Sequence, residues 1–412
     1  MKEWKIYKLS EIADIQTGPF GSQLHNNDYV DNGTPIVTVE HLGNRKFSTR
    51  NLPCVSDADK ARLSKYILNE GDIVFSRVGS VDRCSYVSSD EDGWMFSGRC
   101  LRVRCNNMCN PLFLYYYFCK ETIKQYIRSI AVGATMPSIN TKLLSDLPIT
   151  LPSIDVQDKA VQILSRLDDK IELNRQINDN LEQQAQALYK SWFVDFEPFK
   201  DGKFEESEIG LIPEGWCVGK AEDFYEINIG KTPPRKEHEW FTLDKSQNIW
   251  VSISDLGSDS RFIFDSSEYL TDKAIQKHNI VLVPENTVLL SFKLTIGRVG
   301  IAGTQLTTNE AIARFITNSV NREYTYFLLK NFNYSKLGST SSIATAVNSK
   351  IIKAMMILMP NDECLLNFKK LVGPIIDGIK KNEEEILHLT ELRDNLLLKL
   401  MSGELKINDL DR

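Results

Sequence analysis

Apolar positions in this chain follow two spacings, and each spacing is used twice. Over residues 155–195 they step four, three, four, three through Leu167, Ile171, Asn174, Asn178, Leu181, Ala185, Leu188 and Trp192. Shifted by 208 positions, the same steps run through Ile375, Ile379, Asn382, Ile386, Leu389, Arg393, Leu396 and Leu400. This is the a/d seam of a coiled coil, and no seam position is Pro or Gly. Asn174 and Asn382 share a seam position, where a polar residue lowers stability but fixes register. Elsewhere the alternation has the period of a strand. It marks Arg99–Cys105, and short apolar runs give the further strand candidates Pro35–Glu40 and Asp72–Ser76, and again Ile249–Ser254, Thr287–Ser291 and Ala311–Thr317. Helical spacing marks Pro111–Ile130 and Arg322–Asn331.

The doubling extends to single residues. Trp4 is matched by Trp216, Ile36-Val37-Thr38-Val39 by Trp250-Val251-Ser252-Ile253, and Ile139-Asn140-Thr141-Lys142 by Val347-Asn348-Ser349-Lys350. A repeat of this length means one structural unit used twice. The fold expected is α+β: two tandem mixed α/β globular heads, joined by two long helices that pair as an antiparallel coiled coil about an internal pseudo-two-fold. The segments are 1–152 (first head), 153–200 (central helix), 201–360 (second head) and 361–412 (second helix). A pseudo-two-fold would put the heads at opposite ends of a rod. Thirty-eight helical residues reach about 57 Å, more than the roughly 34–36 Å of one DNA turn.

Net charge is −6, which on its face argues against a nucleic-acid partner. Its distribution removes the objection: 1–150 is +2, 151–206 is −5, 207–360 is neutral and 361–412 is −3. The acidity lies on the helices, so neutral heads are free to carry a basic face. No apolar run approaches a membrane span, and the opening Met1-Lys2-Glu3-Trp4-Lys5 lacks a signal-peptide core, so no membrane association and a cytoplasmic location are expected. Eight cysteines without a Cys-x-x-Cys fit reducing cytosol. Cys100, Cys105 and Cys109 form a possible zinc set, but strand alternation from Arg99 to Cys105 makes small buried side chains the better reading.

Three loops recur in both heads. The first is Thr17–Gln23 against Gly230–Lys236. The second is Ser76–Ser80 with Arg83, against Ser291–Lys293 with Arg298. The third is Gly133–Met136 against Ser339–Ser342. Small residues allow close backbone approach, and hydroxyl, amide and guanidinium donors suit phosphates and base edges. The candidate DNA contacts are therefore Thr17, Ser22, Gln23, Arg77, Ser80, Arg83 and Thr135 in the first head. In the second they are Lys231, Thr232, Arg235, Lys236, Lys293, Arg298 and Ser341. Ordinary turn chemistry explains any one loop equally well.

Catalytic motifs are scarce. Asn110-Pro111-Leu112-Phe113 partly matches the Asn-Pro-Pro-aromatic motif of adenine-N6 methyltransferases, but it reads better as a helix start, with Asn as cap and Pro in the first turn. Asp168-Asp169-Lys170 has the letters of a nuclease motif, yet sits mid-helix and reads as a solvated face. No catalytic, cofactor or metal residue is assigned. The aromatic exit of the central helix, Tyr189 to Phe199, is expected to pack on the adjacent head and to offer a docking surface.

Lys190-Ser191-Trp192-Phe193-Val194-Asp195-Phe196-Glu197-Pro198-Phe199 and Lys399-Leu400-Met401-Ser402-Gly403-Glu404-Leu405 carry a resemblance, as do Trp4 with Leu9–Ile12 and Ile212–Trp216. With them the whole chain resembles the specificity (S) subunit of type I restriction–modification systems. The resemblance implies that each head is a target recognition domain reading half of a split double-stranded DNA site. The paired helices would set the gap and dock two methyltransferase (M) subunits. Those partners would bind S-adenosylmethionine, and restriction (R) subunits would complete the nuclease. This chain would be non-catalytic and hold no cofactor. The alternatives are a two-headed scaffold for proteins and a stand-alone methyltransferase or nuclease.

Overall fold

The computed structural model describes residues 4–19, 21, 23–43, 45–257, 260–318, 320–337 and 347–405. The chain forms two compact units, one of residues 1–169 with 390–412 and one of residues 170–389. Each contains a mixed α/β core and parts of both long helices, Ile154–Phe193 and Asp362–Ser402.

The first unit is built on an antiparallel sheet ordered Ala13–Thr17, Cys100–Cys105, Ile73–Ser76, Cys84–Tyr86. A smaller sheet follows, ordered Tyr29–Val30, Cys54–Val55, Thr34–Val37, Met95–Phe96. Strand Lys5–Lys8 pairs with Pro148–Leu151, so the opening strand lies against the one that feeds the central helix. The second unit repeats this topology. Its main sheet runs Glu226–Ile229, Ile312–Ile316, Val288–Ser291, Val299–Ala302, and adds Phe262–Ile263 in parallel at the edge. The small sheet is ordered Phe241–Thr242, Tyr269–Leu270, Asn248–Val251, Thr307–Thr308, and Cys217–Lys220 pairs with Met356–Met359.

The repeated Asn-Thr/Ser-Lys motif is a helix start in both units. The Asn140 side chain accepts the Leu143 amide, and Asn348 accepts those of Lys350 and Ile351, satisfying donors that lack an intrahelical partner. Asn110 does the same for Leu112 and Phe113, with Pro111 in the first turn, so its amide oxygen is occupied structurally. The helix expected over 111–130 is broken at Lys120, whose extended backbone (φ −62°, ψ 131°) divides Pro111–Cys119 from Glu121–Ile130. The strand expected over 35–40 stops at Val37, where a 3-10 turn begins at Val39.

Within each unit the two long helices run antiparallel. In the first, Arg393 donates to Asp168 at 2.8 Å, and Leu397, Leu400 and Met401 join Ala160 and Leu164 in the core below the sheet. Asp168 is thus not on a solvated face: Tyr116 donates to its other oxygen at 2.6 Å, and Arg45 pairs with Asp169 at 2.8 Å. Asp168 faces Tyr116 of the first head and Arg393 of the other long helix, while Asp169 stays exposed beside Arg45.

In the second unit Asn174 donates to Glu385 at 2.7 Å and Asn382 donates to Asn178 at 2.8 Å. Ile171, Asn174, Asn178, Ala185, Ile379 and, in the first unit, Leu400 are buried, while Leu167, Leu181, Leu188, Trp192, Ile375, Asn382, Ile386, Leu389, Arg393 and Leu396 are half-buried. At the end of the central helix the buried positions move to Tyr189 and Phe193, because a 3.6-residue turn drifts against a 3.5-residue repeat. The aromatic exit packs on its own unit: Phe193 lies 4.7 Å from Tyr324 and 4.8 Å from Phe368, and Phe199 lies 5.0 Å from Trp216 between ring centres. Glu383 accepts the backbone amides of Arg261 and Phe262, both at 2.8 Å, which ties the second helix to the edge strand.

All eight cysteines are free thiols, and the described residues contain no cluster able to hold a metal. No described helix is long and apolar enough to cross a membrane.

Candidate nucleic-acid interface

Strand register brings the recurring loops to one end of each main sheet. In the first unit Thr17 pairs with Leu101 and Ser76 with Cys100, so loops 18–23, 77–83 and 97–99 leave from the same edge. The third loop joins them: Val78 bridges Ser138, Gly79 donates to Pro137 O at 2.8 Å, and Ile139 donates to Arg77 O at 2.9 Å. In the second unit Ile229 pairs with Ala313 and Ser291 with Ile312, which gathers loops 230–236, 292–298 and 309–311. Gly18 and Gly230 are required by packing. A Cβ on Gly18 would stand 2.1 Å from Ser97 O, and one on Gly230 would stand 2.0 Å from Asn309 O.

The candidate side chains divide into presented and committed groups. In the first unit Ser80 and Thr135 are exposed and Thr17 is half-buried at its strand end. Gln23 accepts from the Tyr66 hydroxyl at 2.7 Å. Arg77 donates to Gly98 O at 3.3 Å, and Arg83 donates to Leu42 O. Ser22 and Ser341 lie outside the described residues. In the second unit Lys231, Arg235, Lys236 and Lys293 are exposed. Lys231 donates to Asn279 O at 3.1 Å, and Lys293 stands 5.8 Å from the Phe292 ring centre. Arg235 lies 4.2 Å from the Phe241 ring centre and 4.5 Å from that of Trp250, and pairs with Glu268 at 2.8 Å. Two aromatic faces and a carboxylate thus pre-order its guanidinium.

Arg298 is committed differently. It donates to Ile253 O at 2.8 Å, and its guanidinium fills the space a Cβ on Gly257 would need. Arg83 and Arg298 occupy matching positions and brace matching loops, so recurrence here marks a shared fold.

Lys231, Thr232 and Arg235 line an open cleft with Gly230, Pro233, His278 and Glu310, and Thr232 donates to Glu310. His278 and Glu310 carried no sequence signal, since neither has a counterpart in the first head's loops. His278 Nε2 is buried with no hydrogen-bond partner among the described residues. The sequence reading missed two further arginines, Arg102 and Arg314, each 5% exposed, which a repeated cation within an apolar strand could have flagged. Arg102 pairs with Asp14 at 2.8 Å, and Arg314 donates to Ile229 O at 2.8 Å, at the root of the 230–236 loop. Burial lowers the pKa of both guanidinium groups from the usual range.

A duplicated α/β unit that presents unlike side chains from like loops is the arrangement of a recognition protein. Residues 1–183 and 213–364 match the type I restriction modification DNA specificity domain, and the chain belongs to that family. It is 26% identical to the type I restriction enzyme MjaIX specificity subunit of Methanocaldococcus jannaschii, over 99% of this chain and 95% of the relative. It is also 26% identical to the HindI specificity subunit of Haemophilus influenzae, over 98% of this chain and the whole of that protein. The crystal structure of the type I restriction-modification S subunit from M. genitalium matches the fold with a TM-score of 0.56, covering 97% of this chain and 96% of that one at 14% identity.

Proposed function

We propose that this chain is the non-catalytic DNA-recognition subunit of a type I restriction–modification complex. Each head, 1–152 and 201–360, reads one half of a bipartite double-stranded site through the loops at the end of its main sheet. The paired helices fix the gap and dock two methyltransferase subunits, which carry S-adenosylmethionine. Restriction subunits join through that complex, in the cytoplasm. The observation that carries the reading is the repetition of one sheet with its loops at the same end while the presented side chains change, from Ser80 and Thr135 to Lys231, Arg235 and Lys236. One frame with two different surfaces fits two different half-sites. For docking, the central helix exposes Leu173 and Ile177 one turn apart, and the other long helix exposes Leu387.

The test is co-purification with the neighbouring methyltransferase subunit, followed by selection from a random duplex pool. A two-part motif with a fixed gap is the expected result. One short half would mean that a single head reads DNA. A stable complex that enriches nothing would overturn the reading in favour of a protein scaffold.

A further inference from the structure

The hairpin loops 77–83 and 292–298 are built to one plan. Each follows a strand ending in Ser (Ser76, Ser291), and each is closed by that serine's amide donating at 2.9 Å to the arginine seven positions on, Arg83 or Arg298. In each the third loop residue has a left-handed backbone: Gly79 at φ +74° and Leu294 at φ +61°. This conformation is easy for Gly and sterically disfavoured for Leu. The second head therefore holds a strained aliphatic residue where the first uses the residue the turn prefers.

Leu294 is fully exposed. Its relative exposure is 102%, the highest of any exposed large hydrophobic in the described chain. Other non-glycine residues with positive φ include Arg45, ion-paired to Asp169, and Phe196, packed on Trp216; the remaining three are asparagines, which tolerate this region. Leu294 has neither excuse. It combines a disfavoured backbone with an apolar side chain held in water, at the tip of a hairpin and beside the exposed Lys293. The hairpin leaves the same sheet end as Lys231, Arg235 and Lys236, because Phe292 donates to Ala311 O at 2.9 Å and Gly230 to Ile312 O at 3.2 Å.

We infer that Leu294 is a wedge that enters a base step of the duplex held by the second head, unstacks it and bends the DNA. The inference rests on the heads being DNA readers. An apolar side chain on a projecting tip, flanked by a cation for the phosphates, is what partial intercalation needs. Unstacking is least costly at pyrimidine–purine steps, so Leu294 would add a preference for such a step on the second head's side alone. Gly79 gives the first head no wedge, and the two half-sites would be deformed unequally.

The experiment uses the full chain with its methyltransferase partner and an end-labelled duplex carrying the motif selected from the pool. Bend is read by energy transfer between the ends, and affinity is read over a salt series. Leu294→Gly and Leu294→Asn both suit a left-handed backbone, and their melting temperature should equal or exceed the wild type. Both should lose the bend and the step preference and bind about tenfold more weakly, with an unchanged salt slope because no phosphate contact is removed. Leu294→Met should keep the bend. Variants that bend and bind like wild type would overturn the wedge, as would a straight wild-type complex. Loss of the methyltransferase partner in the variants would show a protein contact and overturn it too. Failure of the wild-type complex to select any duplex would instead remove the reading on which the wedge rests.

Discussion

Glu383 gives a prediction whose size follows from the structure. Its two carboxyl oxygens accept the amides of Arg261 and Phe262, and the residue is 4% exposed. Burial pushes its pKa from 4.5 to about 7; the two amides and Arg261 pull the other way, and the neighbouring Glu182 adds to the rise. A carboxyl whose folded pKa lies above its unfolded value contributes stability that is complete below pH 4.5 and is lost as pH climbs through 7. Between pH 5 and pH 8 linkage makes that loss about 2–3 kcal/mol. Glu383→Ala removes the titrating group and leaves two amides without an acceptor, which costs about 2–5 kcal/mol. The gap between wild type and variant should therefore be widest at pH 5 and narrower by about 2–3 kcal/mol at pH 8. Hydrogen exchange of the 260–264 segment in the full chain, corrected for the intrinsic pH dependence of exchange, measures it. Glu383→Gln, which never ionises, should show the flattened pH response with a smaller loss. A wild-type-to-alanine gap equal at both pH values would refute the reasoning.

The seam makes a simpler forecast: Ile379→Ala, at a fully buried position, should cost about 2–5 kcal/mol in urea unfolding, whereas exposed Leu173→Ala should change stability by less than about 0.5 kcal/mol yet weaken capture of the methyltransferase subunit. Gly230→Ala should erase one half of the selected motif and Gly18→Ala the other, since each Cβ meets a carbonyl oxygen at 2.0–2.1 Å; selection of an intact motif by either variant would count against the loop assignment. Lys236 has no hydrogen-bond or ion-pair partner among the described residues, so Lys236→Ala should reduce the salt slope of DNA binding by about 1 without changing the melting temperature. Arg298→Ala should instead lower the melting temperature, because its guanidinium braces the Ile253 carbonyl.

Periodicity made the architecture legible wherever one face of an element is buried. The paired long helices carry such a stripe, whereas the Arg322–Asn331 helix and the strands ending at Ser76, Cys105 and Ser291 have the predicted ends although nearly all their side chains are buried. Breaks within apolar runs were not legible: from Phe113 to Phe118 every side chain is buried, so no polar face marks the end of that helix before Lys120. Asp168 looked solvated because its partners, Tyr116 and Arg393, lie 52 and 225 residues away. The recurring loops were found as sets, but which cation faces outward was not. Arg83 and Lys231 read alike in sequence, and only the positions of the Leu42 and Asn279 carbonyls show what each one holds. Leu294 would have stood out had loops 77–83 and 292–298 been aligned residue by residue, because a leucine then falls on a glycine.

The first compact unit is discontinuous, and this orders its biosynthesis. A Cβ on Gly403 would lie 2.7 Å from the Trp4 indole nitrogen, and Leu397, Leu400 and Met401 complete a core begun by Leu9 and Ile12. A ribosome makes the whole of 170–389 between these two contributions. The second unit, continuous in sequence, has all its residues in hand while the first still lacks a wall. The first reader is thus the last to close, and a chain interrupted before residue 390 would emerge with one finished reader and one open core, exposed to chaperones and proteases.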